Sequence, residues 1–276
     1  MSAEDFDFAV QLTDTAGWQM IEEDFEFMTN LEPEGCFVLL KNSEKIGLAT
    51  TISFDKIGWF GNLIIGEKYR KSGAGSTLVH HSIAYLARKQ ITTMGLYAYM
   101  DTVSFYKRLG FVFNSYFTVL QGKIKRSIRL KKAVDCKKAE KDDLYRICEC
   151  DAHCFGASRK KLLKPILLDE ANVCYTFKDK GKIQAYVLSK VWNNFAEIGP
   201  LVSPWGRSDV ALSLLESLFK NLEGFEVSLA VQKKETALIN ALLKIGLEKQ
   251  FCVARMFLNP PAALGCVYMP ESLERG

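Results

Sequence analysis

The stretch Arg70-Lys71-Ser72-Gly73-Ala74-Gly75-Ser76 sets two glycines two positions apart in a basic loop. Before it runs a segment with strand character, Asn62 to Gly66, and after it a segment with helical character, Gly75 to Lys89. Glycine reaches backbone angles that a Cβ forbids, so consecutive N–H groups can converge on one point. A helix opening at Gly75 adds unpaired first-turn N–H groups and the positive end of its dipole. This predicts a cradle for a phosphate or diphosphate, set in a strand–loop–helix unit of a layered α/β fold.

Other phosphate loops fit poorly. A Walker loop needs a Lys-Ser/Thr pair behind its last glycine, and a dinucleotide fingerprint needs a third glycine and a later acid; neither is present. Downstream, Val103, Tyr106 and Leu109 repeat at helical spacing, Gly110 is a natural helix stop, and Phe111 opens the next strand. Arg-x-x-Gly-x-Gly from Arg70, with Leu63 and Ile65 before it, resembles motif A of the GNAT acyltransferase superfamily. Tyr106-x-x-x-Gly110-Phe111 resembles its motif B. The usual proline of motif A is replaced by Glu67.

The resemblance implies an acetyl-CoA-dependent N-acetyltransferase in which a primary amine of a small molecule attacks the thioester directly in a ternary complex. It implies that Arg70, Lys71, Ser72, Gly73, Ala74, Gly75 and Ser76 surround the cofactor diphosphate, and that Leu63, Ile64 and Ile65 run along the pantetheine arm. Tyr106 takes the family's general-acid position, and Tyr99 stands where many members carry a cofactor-contacting asparagine. Tyr97 and Tyr99 are expected on opposite sides of their strand. No base is singled out: Glu22, Glu23 and Asp24 read as a solvated helix face, and His80 and His81 lie one turn beyond the loop. Trp18, Phe25, Phe27 and Trp59 suit an aromatic pocket or, more simply, core. The rival class is a non-catalytic acyl-CoA sensor using the same loop.

A chain of 276 residues is long for one such domain. Gly110 and Gly246 mark similar helix ends roughly 136 positions apart, which suggests duplication. Two domains are expected, residues 1–130 and 131–276, each a mixed, largely antiparallel sheet flanked by helices. Phe6 to Thr13 reads as a strand and Gly17 to Asn30 as a helix, followed by strands Cys36 to Lys41, Ile46 to Phe54 and Ile57 to Gly66. In the second half, Pro204-Trp205-Gly206-Arg207-Ser208-Asp209 replaces the cradle, with an acid where phosphate would sit, and Leu242 stands opposite Tyr106. The second half is therefore expected to be a degenerate GNAT-like domain that shapes the acceptor pocket.

The net charge of +4 is too small and dispersed for nucleic acid, and the basic run Lys123, Lys125, Arg126, Arg129, Lys131 and Lys132 reads as a connector. No apolar run spans a membrane, and eight cysteines without regular spacing suit a reducing, cytoplasmic setting. Cys148, Cys150, Asp151, His153 and Cys154 cluster in sequence, but their spacing on a helix scatters them over different faces, so no metal is expected.

Overall fold

From Cys36 to Lys123, and again from Val173 to Leu258, strands and helices follow one order. The computed structural model describes residues 1–18, 20–125, 129–130, 133–204, 206–260 and 267–276. The first half contains α1 (Phe6–Asp14), α2 (Glu22–Leu31), β1 (Cys36–Lys41), β2 (Glu44–Phe54), β3 (Ile57–Ile65), α3 (Ala74–Arg88), β4 (Thr93–Tyr99), α4 (Val103–Arg108) and β5 (Val112–Lys123). The second contains β6 (Lys137–Lys138), α5 (Leu144–Phe155), α6 (Lys160–Leu168), β7 (Val173–Asp179), β8 (Lys182–Trp192), β9 (Phe195–Val202) and α7 (Ser208–Phe219). It closes with β10 (Glu226–Gln232), α8 (Thr236–Lys244), β11 (Glu248–Leu258) and β12 (Val267–Met269). Gly110 and Gly246, at φ 91° and 100°, end α4 and α8 in the same left-handed conformation, as the duplication requires. Arg126, Lys131 and Lys132 of the basic run, and Trp205 of the second loop, lie outside the described residues.

The fold is a mixed α/β sheet flanked by helices, and the two halves share one sheet. Its order is β1-β2-β3-β4-β11-β5-β10-β9-β8-β7-β6, with β12 on β9. Within each half one strand pair is parallel, β3 with β4 and β9 with β10. The closing strands are exchanged: β11 lies antiparallel on β4, β5 lies antiparallel on β10, and the two also pair with each other. Local pattern marks β5 and β11 as strands but does not name their partners, because pairing is decided by the surfaces that meet in the folded chain. The exchange makes each half complete the edge of the other.

Three helices depart most from the sequence reading. Phe6 to Thr13 is helix α1 instead of a strand. Apolar residues at 6, 8, 10 and 12 match a strand, but those at 6, 9 and 12 match a helix equally well, and Phe6, Ala9, Leu12 and Thr13 are the buried set. Helix α2 begins at Glu22, where the Ile21 N–H donates to the Asp24 carboxylate at 3.0 Å; this leaves Trp18 on a loop. Helix α6 was not anticipated, because Pro165 sits inside it, although Leu162, Leu163 and Ile166 bury one face.

A buried carboxylate ties the halves together. Glu32, 1 % exposed, accepts from the Tyr85 hydroxyl at 2.6 Å, the Ser53 N–H at 2.9 Å and Lys161 of the second half at 2.5 Å, and it also pairs with Lys89. Burial pushes its pKa up, but the hydrogen bonds from Lys161, Lys89 and Tyr85 outweigh that and hold it down at about 2. A depressed carboxylate stabilises the fold fully above its unfolded value of 4.5 and loses that contribution as pH falls towards about 2. Unfolding free energy in urea should therefore fall across that window, and Glu32→Gln should flatten the slope; an unchanged slope would show that the network is not coupled to folding.

Candidate active site

The parallel pair at the centre of the first half comes apart. Strands β3 and β4 pair from Ile57↔Thr93 to Phe60↔Leu96 and no further, so the edge of β3 from Gly61 onward is released from β4. At the same place the β2–β3 register slips: Leu48 faces Ile64 but Thr50 faces Gly61, which puts one extra residue into β3. Asn62, at φ 50°, occupies this bulge; it is 5 % exposed, and neither side-chain amide atom has a hydrogen-bond partner. Beyond the bulge, Leu63 and Ile65 pack with α3 residues, while Ile64 packs with α1 and α2.

The glycine loop leads directly from this released edge into α3. Arg70 Nε donates to the Ile65 carbonyl at 3.0 Å, tying the loop to the end of β3, and the Ser72 hydroxyl donates to the Tyr69 carbonyl at 2.6 Å. Lys71 and Gly73 are both left-handed, at φ 62° and 90°, an alternation that gathers successive N–H groups. Helix α3 starts at Ala74, one residue before the expected Gly75, with no side-chain cap and no acid in its first turn. By helix geometry the N–H groups of Ala74, Gly75 and Ser76 lack intrahelical acceptors. A Cβ on Gly73 would meet nothing within 4 Å, so the cradle is open, and only the backbone angle demands glycine. A Cβ on Gly75 would lie 3.4 Å from Phe105 and 3.8 Å from Ile65, so the loop helix, α4 and β3 meet there. The donors, the open space and the basic side chains fit a diphosphate.

Tyr106 is buried beside this junction. Its ring packs on Phe105 at 5.0 Å and Phe111 at 5.8 Å, in one cluster with Leu63 and Val79. Burial pushes its phenol above the ordinary tyrosine value, so it stays protonated through neutral pH. Tyr99 stands elsewhere. Tyr97 and Tyr99 share one face of β4 instead of facing opposite sides, as the two-residue repeat of a strand demands. That face is turned away from α3: Tyr97 packs on Trp59 at 5.3 Å, and Tyr99 packs on Trp18 at 6.4 Å and Phe251 of β11 at 5.4 Å. Of the other aromatic candidates, Phe25 and Trp59 are core, and Phe27 is half-buried beneath Arg275. Glu22, Glu23, His80 and His81 are exposed.

The second half repeats the geometry and fills it. Strands β9 and β10 pair only as far as Ile198↔Leu229, but β12 pairs with β9 at Leu201 and Val202 and also contacts β10, so the chain itself occupies the notch. At the start of α7, Arg207 makes two 2.8 Å hydrogen bonds to Asp209, placing an ion pair where the first half has an open cradle. The cysteine cluster is accounted for differently: Cys148 and Cys154 are buried in core, and Asp151 binds Arg159. Cys150 and His153 line a hollow of about 500 Å³ with Arg146, Glu149 and Lys182, away from the β3 edge. Among the described residues no group of three or more His, Cys, Asp or Glu is arranged to hold a metal. Among them no helix is long and apolar enough to cross a membrane.

What sequence reasoning missed is the segment after β12. Its main chain passes over β3, with the Glu274 oxygen 2.5 Å from where a Gly61 Cβ would lie, and a Gly276 Cβ would lie 2.6 Å from the Trp59 ring. The Trp59 indole N–H reaches the Leu273 carbonyl at 3.4 Å. No local signal joins positions more than 200 apart; the only hint is glycine at 61 in a strand.

Comparison with known proteins agrees with this geometry. The acetyltransferase (GNAT) family model matches residues 4–111, and an acetyltransferase (GNAT) domain model matches residues 147–268. The uncharacterized N-acetyltransferase YitH of Bacillus subtilis is 21% identical over 242 residues, covering 87% of this chain and 83% of that protein. The uncharacterized N-acetyltransferase ycf52 of Pyropia yezoensis is 35% identical over 74 residues, 26% of this chain and 41% of that protein's length. Among solved structures, a Pyrococcus horikoshii protein assigned to the acetyltransferases superposes at TM-score 0.80 with 18% identity, over 100% of this chain and 94% of that one. A tandem GNAT protein from the clavulanic acid biosynthesis pathway superposes at 0.60 with 14% identity, over 95% and 98% of the two chains. With a GNAT match in each half and a fold shared with a tandem neighbour, the chain belongs to the GNAT acetyltransferase superfamily, as a tandem of two such domains.

Proposed function

We propose that the first half is an acetyl-CoA-dependent N-acetyltransferase acting on a primary amine of a small molecule, and that the second half is a degenerate domain that covers the acceptor side. The observation that carries this reading is the alignment of an open N–H cradle at Lys71 to Ser76 with the released edge of β3 from Gly61 to Ile65. The cradle offers main-chain donors and a helix N-terminus to a diphosphate, with Arg70 and Lys71 adding charge. The strand edge offers unpaired main-chain groups to an extended amide-bearing arm, along Leu63, Ile64 and Ile65. Tyr99, expected from the resemblance to contact the cofactor, is turned away from the loop and belongs in this reading to the acceptor side.

When bound, the thioester supplies an activated acetyl group. Transfer forms an N–C bond as the C–S bond breaks; the attacking amine loses a proton to water, and the sulfur gains one. Tyr106 delivers that proton and recovers one from solvent; its phenol carries the proton at working pH. A β3 N–H released by the splay can donate to the carbonyl oxygen, which is polarised as attack proceeds. Tyr106→Phe keeps the packing and loses the proton. Its kcat should fall on the order of a hundredfold, with acetyl-CoA affinity within about twofold. Retained turnover would remove Tyr106 from the mechanism.

The reading is tested by titrating the protein with acetyl-CoA and following thiol release over a panel of small amines. Binding with release supports the transferase. Binding without release from any amine points to the sensor, and no binding overturns both.

A further inference from the structure

Resting on the transferase reading above, we propose that Glu274 and the aromatic rim of Trp18, Tyr99 and Phe251 receive a positively charged group of the acceptor. The acceptor class is then a small amine that carries a second ammonium besides the one that reacts.

Four segments distant in sequence build this corner. Trp18 comes from the α1–α2 loop, Tyr99 from the end of β4, Phe251 from β11 and Glu274 from the segment after β12. Trp18 stacks on Tyr99 at 6.4 Å and an interplanar angle of 17°, and Phe251 lies 5.4 Å from Tyr99. Tyr99 and Phe251 are each 37% exposed, so part of the rim is open to solvent. A cation over an aromatic face is attracted by the ring's quadrupole.

Glu274 supplies the charge. Its main chain lies on Gly61, the first β3 residue beyond the last β3–β4 pair, so it is fixed at the mouth of the splay. The neighbouring acids are engaged: Glu271 holds Arg275 at 2.8 Å and Lys190 at 2.5 Å, and Glu197 holds Lys190 at 2.6 Å. Glu274 is half-exposed and has no ion pair or hydrogen bond from its carboxylate among the described residues. Leu273, the residue before Glu274, packs in one cluster with Tyr97, which shares its β4 face with Tyr99; burial first, and then the Glu274 charge, push the Tyr99 phenol up. Arg275, which feels the Glu274 charge, is held by Glu271 at 2.8 Å, and Arg255 donates to Asn114 at 2.9 Å. Next to Gly61, the buried Asn62 amide has both atoms without partners, a donor and an acceptor at the same mouth. A half-exposed carboxylate with no hydrogen bond or ion pair among the described residues, a partly exposed aromatic rim and an unsatisfied amide match an ammonium-bearing chain better than an acid or an apolar tail.

The test compares acetylation of putrescine with that of butylamine, which lacks the second ammonium, by kcat/KM in the wild type and in Glu274→Gln. The wild type should favour putrescine by about tenfold or more, and E274Q should bring the ratio close to one, the loss of one charge-assisted contact. The acetyl-CoA dissociation constant should be unchanged in the variant. Thiol release at equal efficiency from the two amines in the wild type overturns this proposal alone, as does a variant that keeps the preference. No release from any amine overturns the transferase reading and this proposal with it. The wild-type ratio decides the matter even if the variant folds poorly.

Discussion

Gly73→Val should abolish useful acetyl-CoA binding while leaving the chain folded. Gly73 sits at φ 90° with nothing within 4 Å of its Cβ position, so valine meets no clash but must either hold a forbidden angle or turn the loop. Holding it costs about 1–3 kcal/mol, and turning it scatters the N–H groups that Lys71, Gly73 and the first turn of α3 aim at one point. The affinity should fall by roughly 10- to 100-fold or more, read by calorimetry. Gly206→Val is the control: Gly206 is also left-handed, at φ 73°, in the loop whose helix start is taken by the Arg207–Asp209 ion pair. That variant should bind acetyl-CoA like the wild type. Equal losses from both would mean that general destabilisation, not the cradle, sets the affinity.

The largest stability effect is expected in the buried cluster that anchors the final segment. Asp151 and Arg159 are both fully buried, joined by hydrogen bonds of 3.0 and 2.6 Å, and the Tyr186 hydroxyl donates to the same carboxylate at 2.5 Å. Arg159 also donates to the Gly276 main-chain oxygen and lies 4.2 Å over the Phe155 ring. Arg159→Met strands a carboxylate in the core, which costs about 3–5 kcal/mol. At about 2–4 °C per kcal/mol for a chain of this size, the melting temperature should drop by roughly 6–20 °C. Adding Asp151→Leu removes the stranded charge and should restore much of the loss. A double variant as unstable as the single one would show that packing, and not charge, is at stake.

The cradle was legible because its geometry is local. Two glycines, a basic residue and a helix start fix the loop within a few residues of chain, and Lys71, Gly73 and Ala74 adopt the conformations that such a pattern asks for. The duplication was legible for the same reason, through Gly110 and Gly246. Helix α1 was misread because Phe6 to Thr13 satisfies two periods at once, and only the surface of β2 and β3 chooses between them. The exchange of β5 and β11 and the filling of the second notch by β12 depend on contacts between residues more than 100 apart, which no period records. Tyr99 reads from the sequence as a cofactor-contact position and Trp18 as pocket or core; the acceptor role proposed for them with Phe251 and Glu274 depends on four segments that meet only in the folded chain.

The most direct measurement is a crystal structure of the chain with acetyl-CoA at saturation. One molecule per chain is expected, its diphosphate oxygens about 3 Å from the main-chain N–H groups of residues 71–76 and its amide arm along β3 beyond Phe60. Acetyl-CoA seated in the β9–β10 notch, or a first-half cradle left without it, would show that the Lys71–Ser76 loop is not the cofactor site.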